Sequence, residues 1–210
     1  MKEGETKQES SHRERLSADD RRRDILSAVR DLCAEQGVGS LSVSSITERV
    51  GCTRSLFYHY FPDKQAAIDA TLDDMIEDVI EQIGAWNASR VQGDIDGALD
   101  SVVVLLKRLI VDQNDLPLSL TSTGDATLYT GFVHRVADHA ARYVLDSTVR
   151  DFSRFHSVRI DHVYETFYVL ITGLVMFMRT HPEAPEATIK DIIASTLHIE
   201  KYTAKHADRS

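Results

Sequence analysis

The sequence contains few of the residues that interrupt helices or cross-link a fold. Its 210 residues include four prolines and two cysteines, and we find no alternating strand pattern, no internal repeat and no heptad series. The longest nearly apolar run, Phe167 to Met178, is too short to span a membrane. Cys33 and Cys52 have no metal-ligand spacing around them, so we predict buried, reduced thiols in a cytoplasmic protein. These absences favour an all-α fold.

The sequence also lacks the short motifs of common enzymes. It has no Gly-x-Ser-x-Gly elbow, no Gly-x-Gly-x-x-Gly loop, no phosphate-binding loop and no His-Glu-x-x-His pair. His134 and Asp138 are spaced as two metal ligands on a helix, but no third ligand accompanies them. We therefore predict no catalytic site, no metal site and no cofactor. An enzyme stays an alternative only through a small-molecule pocket.

Charge is distributed unevenly along the chain. The net charge is −9, yet residues 1–62 contain ten basic and ten acidic residues, so the acidic excess lies in residues 63–210. A neutral N-terminal part and an acidic C-terminal part fit a protein whose N-terminal part approaches the phosphates of a nucleic acid. Acidic residues that only aid solubility explain the C-terminal part equally well. The first 20 residues are charged, which predicts no signal peptide, and residues 1–16 are expected to be a disordered tail.

Residues 43–62 have the pattern of a helix-turn-helix. Apolar residues recur at helical spacing from Val43 to Val50, Ser42 can cap this helix, and Gly51 suits a left-handed turn at its end. Thr53 can cap the second helix, which leaves three residues for the turn. The second helix ends before Pro62, because the residue preceding a proline disfavours helical dihedral angles.

The second helix combines hydrogen-bonding groups with aromatic rings. Arg54 can donate to guanine O6 and N7, worth about 1–3 kcal/mol of discrimination, and the small Ser55 lets the backbone approach a DNA groove. Phe57 and Phe61, four residues apart, are expected to anchor the helix in the core. Further contacts to phosphate or bases are expected from Leu56, Tyr58, His59, Tyr60 and Lys64. An aromatic patch that only holds three helices together is the alternative for residues 58–60.

Helices are predicted on both sides of this motif. The first starts at Ser17, which has a capping-box spacing, and it ends near Gly37; a long helix runs from Lys64 to about Trp86. Four arginines of the first helix either contact phosphate or solvate an exposed face: Arg21, Arg22, Arg23 and Arg30.

Further helices are predicted over residues 94–112, 126–146, 161–179 and 186–201, with an irregular connector over 114–124. The third of these is apolar nearly all round and must be buried from more than one direction.

The segment from Leu41 to Ala70 resembles the DNA-binding domain of TetR-family transcriptional repressors. The matching elements are Leu41-Ser42-Val43 and Ile46, then Gly51-Cys52-Thr53, Phe57-Tyr58-His59-Tyr60-Phe61 and Pro62-Asp63-Lys64. The resemblance covers Arg21 to roughly Glu81, and the remainder agrees only in length and helical pattern. It implies that the caps Ser42 and Thr53 contact phosphates and that Arg54 and Ser55 face base edges. Leu56 departs from the small or hydroxyl residue that is common at its position.

The resemblance also implies a homodimer and a small-molecule pocket in the back half. The apolar surface of residues 161–179 exceeds what one subunit can cover, which agrees with a dimer. The expected dimer residues are Phe167, Leu170, Leu174, Met178, Ile189, Ile192, Ile193 and Leu197. The expected pocket residues are Trp86, Tyr129, Phe132, His139, Tyr143, Phe167 and Tyr168. Each pocket residue has plain core packing as its alternative.

Together these observations predict three parts: a tail over 1–16, a DNA-binding domain over 17–81, and a helical ligand-binding and dimerisation domain over 82–210. The expected function is a repressor that binds a palindromic operator in double-stranded DNA as a homodimer and is released by a small molecule of unknown identity. The alternatives are an enzyme that binds a small molecule and a helical protein-interaction module.

Overall fold

In a computed structural model of the protein, residues 18–112, 126–156 and 160–204 are described, and they contain helices and no strand. The helices are α1 (Ala18–Gln36), α2 (Val43–Val50), α3 (Arg54–Tyr60), α4 (Lys64–Ser89), α5 (Ile95–Lys107), α6 (Ala126–Val144), α7 (Val163–Thr180) and α8 (Glu186–Thr196). Wider π-helical turns extend α5 and α6 over Arg108–Asp112 and Leu145–Val149, and a short helical turn follows at Arg150–Phe152. Tighter 3₁₀ turns lie at Val38–Ser40 and Glu200–Tyr202.

The first three helices pack around one apolar core. Ile25 and Val29 of α1, Ile46 of α2 and Phe57 of α3 are all 0% exposed, so each helix turns its apolar face to the same centre. Helix α4 closes this core with the part of its length that includes Ile68. The predicted three-helix front module is therefore completed by the start of the long helix.

Helix α4 continues without a break across the predicted domain boundary at residues 81 and 82. Its first half belongs to the front core, and its second half, from Val79 to Trp86, lines a cavity in the back half. Because one rigid helix belongs to both parts, no flexible linker separates them. The assignment of residues to two domains stays a prediction.

The back half is built on an antiparallel pair, α6 and α7. Tyr129 near the start of α6 lies beside Met176 near the end of α7, and Asp138 further along α6 bonds to Tyr164 at the start of α7. Helix α4 packs on α6, and α5 packs on both α4 and α8. These helices enclose the cavity.

Several predicted ends need correction. The last helix ends at Thr196 instead of Lys201, because His198 adopts a left-handed conformation with φ of 55° while Leu197 and Ile199 on either side are buried. Helix α7 begins at Val163, after His162, which has a φ of 53°. The predicted tail over 1–16, the cap at Ser17 and the connector over 114–124 lie outside the described residues.

Two further features can be checked within the described ranges. No helix there is both long and apolar enough to cross a bilayer. Nor do the described side chains bring three or more His, Cys, Asp or Glu residues together as a metal site. Asp138 instead accepts hydrogen bonds from Arg142 at 3.0 Å and from Tyr164, and these two partners lower the pKa of its carboxyl group.

Candidate nucleic-acid interface and ligand cavity

Helix α3 presents one face to solvent and buries the other. Phe57 and Phe61 are 0% and 4% exposed, which confirms that they anchor the helix in the core. Arg54, Tyr58 and His59 are exposed, and Tyr58 keeps 53% of its surface accessible. The aromatic cluster is therefore divided between the core and an outward face.

The turn before α3 is fixed by backbone hydrogen bonds. Gly51 has φ 69° and ψ 38°, and the amide of Cys52 donates to the carbonyl of Thr47 at 2.9 Å. This left-handed closure is open to glycine without strain, as the sequence predicts. The Thr53 hydroxyl then accepts from the amide of Leu56 at 3.2 Å and caps α3.

The N-termini of α2 and α4 are capped in the same way. The Ser42 hydroxyl accepts from the amide of Ser45 at 3.1 Å, and the Ser45 hydroxyl accepts from the amide of Ser42 at 3.1 Å, which completes a reciprocal capping box. Asp63 accepts from the amide of Ala66 at 2.8 Å. The caps that the sequence predicts at Ser42 and Thr53 are therefore formed, and Asp63 caps α4 as well. Exposed Ser42 and Thr53 sit where the positive ends of helix dipoles favour a phosphate.

Arg54 is held by a neighbour from α2. Its guanidinium donates to the hydroxyl of Ser44, which is also exposed, so the long side chain lies across the gap between α2 and α3. A guanidinium has five N–H donors, and the contact with Ser44 leaves others for a base edge or a phosphate. Contact between Arg54 and DNA stays a prediction.

Three of the four remaining residues that are predicted to contact DNA are half-buried. The ammonium group of Lys64 donates to the carbonyl of Leu41 at 2.9 Å, so one of its donors ties the start of α4 to the start of α2. Leu56 and Tyr60 are half-buried, and the Tyr60 ring packs edge-on against His59 at 5.2 Å between centroids. Ser55 is exposed beside Arg54. Lys64 thus has a structural role that the sequence did not reveal, whereas the packing of Tyr60 against the front core is the alternative that the sequence left open.

Three of the four arginines of α1 pair with carboxylates. Arg21 lies 3.4 Å from Asp24, and Arg23 pairs with Asp20 in the same helix. Arg30 reaches across to α4 and bridges two aspartates, with Asp78 at 3.0 Å. These ion pairs favour the interpretation that the three arginines solvate an exposed face, which is one of the two roles that the sequence left open.

Arg22 differs from the other arginines of α1, because its guanidinium lies 5.6 Å from the centroid of the Phe61 ring. This contact places Arg22 beside the end of α3.

The two cysteines occupy different environments. Cys33 is buried, and burial raises the pKa of its thiol from an ordinary value of 9.0 to about 11. Cys52 is only half-buried, which corrects the expectation that it is buried, and partial burial raises its pKa as well. Both thiols are free of a disulfide.

The back half encloses a cavity of about 260 Å³ with a lining that is almost entirely apolar. Helices α4, α5, α6, α7 and α8 all contribute to its wall. Four of the predicted pocket residues line it: Trp86, Tyr129, Phe132 and Phe167. The lining that the sequence did not single out includes residues of α5, such as Leu99, Val102 and Leu106. The helical spacing of these apolar residues is visible in the sequence. A buried core and the wall of a pocket both produce this spacing, so the sequence does not distinguish between them.

The other three predicted pocket residues do not line the cavity. His139 is exposed, because the buried face of α6 turns along the helix from Phe132 toward Ala137 and Ala141. Tyr143 is half-buried, and its hydroxyl lies next to Gly84 of α4, on the side where a β carbon would stand.

The third of these residues, Tyr168, shares a short hydrogen bond with Nδ1 of His134 on the outer side of the α6–α7 pair. The rings of these two residues stack with 6.0 Å between their centroids.

The predicted dimer residues lie mostly in the interior of one subunit. Six of its eight residues are buried within the subunit: Leu170, Leu174, Met178, Ile189, Ile193 and Leu197. Phe167 and Ile192 are half-buried. The six buried side chains fill the core between α5, α7 and α8, and the dimer interface stays a prediction. On the outer side of α7, Val169 and Met176 are 67% and 47% exposed, with Gly173 between them.

A buried polar network that the sequence did not indicate joins the end of α4 to one end of the cavity. The side chain of Arg90 is 2% exposed and lies 3.1 Å from Asp151. Asn87 accepts from Arg90 at 2.8 Å and from the hydroxyl of Thr148 at 2.9 Å. Arg90 also stacks on Phe152, 4.6 Å from the ring centroid. Only the fold could reveal this cluster, since α4 and the end of α6 are about 60 residues apart.

Residues 25–71 match the family model of bacterial regulatory proteins of the tetR family. The helix-turn-helix transcriptional regulator YvdT of Bacillus subtilis (strain 168) is 32% identical to this chain over 72 residues, which are 34% of this chain and 35% of YvdT. The chain thus spans about a third of the length of this curated relative. The similarity in sequence is concentrated in the helix-turn-helix and the helices around it.

Solved structures match over most of both chains. A TetR-family transcriptional regulator from Mesorhizobium loti MAFF303099 has a TM-score of 0.67 at 12% identity, covering 87% of this chain and 96% of the other. The transcriptional regulator SCO7518 from Streptomyces coelicolor A3(2) has a TM-score of 0.64 at 21% identity, covering 84% of this chain and 98% of the other. At such low identities these matches show the fold alone, and they include the helical back half.

Proposed function

We propose that this chain is a transcriptional repressor of the tetR family that a small molecule releases from DNA; the match of residues 25–71 to the family model supports this proposal. In the proposed complex, two copies bind a palindromic operator, and each places α3 in a major groove. The two α3 helices lie about 34–36 Å apart for half-sites one turn apart, or further for a longer operator. The effector occupies the apolar cavity of the back half.

The observation that supports DNA binding best is the outward face of α3. Arg54, Ser55, Tyr58 and His59 are exposed together, while Phe57 holds the helix from beneath. Arg54 supplies a two-pronged donor for a guanine, and the hydroxyl of Tyr58 can donate to a phosphate oxygen.

The shared wall between the cavity and the front core supports a response to ligand. Tyr129, Phe132 and Val133 of α6 line the cavity and also pack into the core that α1–α4 form. Arg135 of α6 pairs with Asp73 of α4 on the surface nearby. A molecule that displaces α6 therefore moves side chains that support the DNA-binding helices. The expected coupling free energy between effector binding and DNA binding is about 1–3 kcal/mol.

The proposed homodimer uses the outer side of α7. Val169 and Met176 are exposed apolar side chains, and Gly173 lies between them on the same side. A β carbon at Gly173 would meet no atom of the same subunit within 4 Å, so the helix backbone is open to close approach by a second copy. This surface replaces the buried stripe that the sequence indicated.

The proposal is tested by selecting bound sequences from random DNA and then measuring the affinity of variants for the selected operator. Arg54→Ala should lower specific affinity by about 1–3 kcal/mol, with the loss concentrated at one base pair. Tyr58→Phe should weaken all sequences equally, because a phosphate contact carries no sequence information. Arg150→Ala is the matched control, since it removes one exposed arginine from the back half.

Two outcomes would contradict the proposal. Unchanged operator affinity of the Arg54→Ala protein would remove Arg54 as a base reader. Binding that does not weaken with salt would point to a protein partner instead of DNA, because phosphate contacts release counterions. An enzymatic role would require turnover of a bound molecule that Arg54→Ala leaves unaffected.

A further inference from the structure

Arg54 differs from the other arginines of the front half in what its guanidinium contacts. Four of the six arginines in residues 18–81 pair with carboxylates: Arg21, Arg23, Arg30 and Arg49. The guanidinium of Arg22 lies over the Phe61 ring. Arg54 donates instead to the neutral hydroxyl of Ser44, which holds the guanidinium without neutralising its charge. The positive charge therefore strengthens any hydrogen bond that Arg54 gives to DNA.

Both partners of this hydrogen bond stand on helices that the front core holds in place. Ser44 lies in the first turn of α2, where its carbonyl accepts a hydrogen bond from the hydroxyl of Thr47 at 3.0 Å. Arg54 is the first residue of α3. Ile46 of α2 and Phe57 of α3 are both 0% exposed and belong to one core. The Ser44 hydroxyl therefore stands on a rigid support when it accepts from the flexible side chain of Arg54.

A guanidinium that is held on one side can still read a guanine with another. The Nη2 atom of Arg54 carries two hydrogens, and one of them bonds to Ser44. The second hydrogen and one on a neighbouring nitrogen form the parallel pair of donors that guanine O6 and N7 accept. The contact with Ser44 thus restricts the orientation of the guanidinium and leaves two donors for a base. A side chain that is ordered before binding loses less conformational entropy when it meets the DNA.

We propose that Ser44 is a positioning residue that determines how strongly Arg54 discriminates between base pairs. Ser44 contacts no base in this arrangement and acts through the guanidinium of Arg54. Both residues are exposed, so DNA reaches the pair without a rearrangement of α2 or α3. The proposal rests on the proposed DNA-binding function, and it adds a determinant of specificity that lies on α2 and not on α3.

The experiment uses the full chain and the operator selected from random DNA. The affinities of the native and Ser44→Ala proteins are measured for this operator and for versions of it in which each base pair is changed in turn. We expect Ser44→Ala to reduce the preference at one base pair by about three- to tenfold, since an exposed hydrogen bond contributes about that much. Arg54→Ala should abolish the preference at that same base pair. The affinity of Ser44→Ala for operators that already lack this base pair should change less than about twofold.

Further variants separate positioning from a direct contact between Ser44 and DNA. Ser44→Thr keeps the hydroxyl and should keep the base preference within about twofold of the native value. In the Arg54→Ala background, Ser44→Ala should have no further effect, because the side chain that Ser44 positions is gone. Ser195→Ala removes an exposed serine from α8 and should change neither affinity nor preference. Alanine is a good helix former, so Ser44→Ala should leave α2 folded, which circular dichroism checks.

Three results would overturn the positioning role of Ser44. A native base preference in the Ser44→Ala protein, where Arg54→Ala loses it, would show that Arg54 reads DNA without help from Ser44. Equal weakening of all operator versions by Ser44→Ala, present also in the Arg54→Ala background, would mean that Ser44 contacts a phosphate itself. A loss at a different base pair would mean that Ser44 reads a base directly. The proposed function is judged separately, because a native chain that selects no common sequence would refute specific DNA binding and every role of Ser44 in it.

Discussion

Removing the carboxylate of Asp151 should destabilise the protein by leaving a buried cation without its partner. The side chain of Arg90 is 2% exposed, and Asp151, 27% exposed, lies 3.1 Å from it. Loss of one partner from a fully buried ion pair costs about 3–5 kcal/mol. Because Asp151 keeps some contact with water, we expect Asp151→Ala to cost about 2–3 kcal/mol. For a chain of this size that corresponds to a fall in Tm of roughly 5–10 °C.

A double-mutant cycle separates the loss of the pair from the loss of packing. Arg90→Met keeps much of the apolar stem that stacks on Phe152 and removes the charge, so Arg90→Met with Asp151→Ala should be more stable than Asp151→Ala alone. Urea unfolding followed by far-ultraviolet circular dichroism and by the fluorescence of Trp86 gives the free energies. Asp146→Ala removes an exposed aspartate from the same part of the chain and serves as the control.

Two results would refute the reasoning. An Asp151→Ala protein within about 0.5 kcal/mol of the native one would mean that Arg90 reaches water or another partner. Strictly additive effects of the two substitutions would mean that Arg90 and Asp151 do not interact energetically. If the reasoning holds, this cluster connects the end of α4 to one end of the cavity.

Three further predictions concern the thiol core, the dimer and the caps. Between pH 9 and about 11 the Cys33 thiol ionises in the unfolded state but not in the folded state. The free energy of unfolding should therefore fall by up to about 3 kcal/mol over this range. Urea unfolding at pH 8 and 10.5 measures this fall, and the Cys33→Ala protein should lack the part that is due to the thiol. Gly173→Leu should disrupt the dimer in light scattering but stabilise the monomer by about 1 kcal/mol, since leucine is the better helix former; an unchanged association state would place the interface elsewhere. Thr53→Ala should cost about 1 kcal/mol of stability in urea unfolding by removing the cap of α3, whereas equal stability would mean that the cap contributes nothing.

The helix-turn-helix could be predicted from the sequence because its determinants are local. A cap is a side chain bonded to a backbone amide three residues away, and Ser42, Thr53 and Asp63 each satisfy that requirement. Gly51 takes the left-handed conformation that favours glycine, and Phe57 and Phe61 have the spacing of one buried helix face. None of these features depends on what the rest of the chain does.

The back half was predictable only in part, because periodicity marks an apolar face without saying what covers it. The stripes of α7 and α8 are as regular as the sequence indicates, and Leu174 and Ile193 are buried within the subunit. His139 shares the apolar face of α6 by spacing, but the neighbours of α6 change along its length and leave His139 exposed. A helix contacts different partners at different heights, and sequence spacing does not contain that information.

By itself the sequence determined the helical class, the caps, the turn and the outward set of side chains on α3, since each depends on neighbours within a few residues. The tertiary structure alone decided which apolar faces meet and what space they leave between them. It placed Arg179 beside Tyr129 at one end of an apolar cavity, and it buried Arg90 against Asp151 at the other. Such contacts join residues that are distant in the chain, and they form only when several helices pack at once.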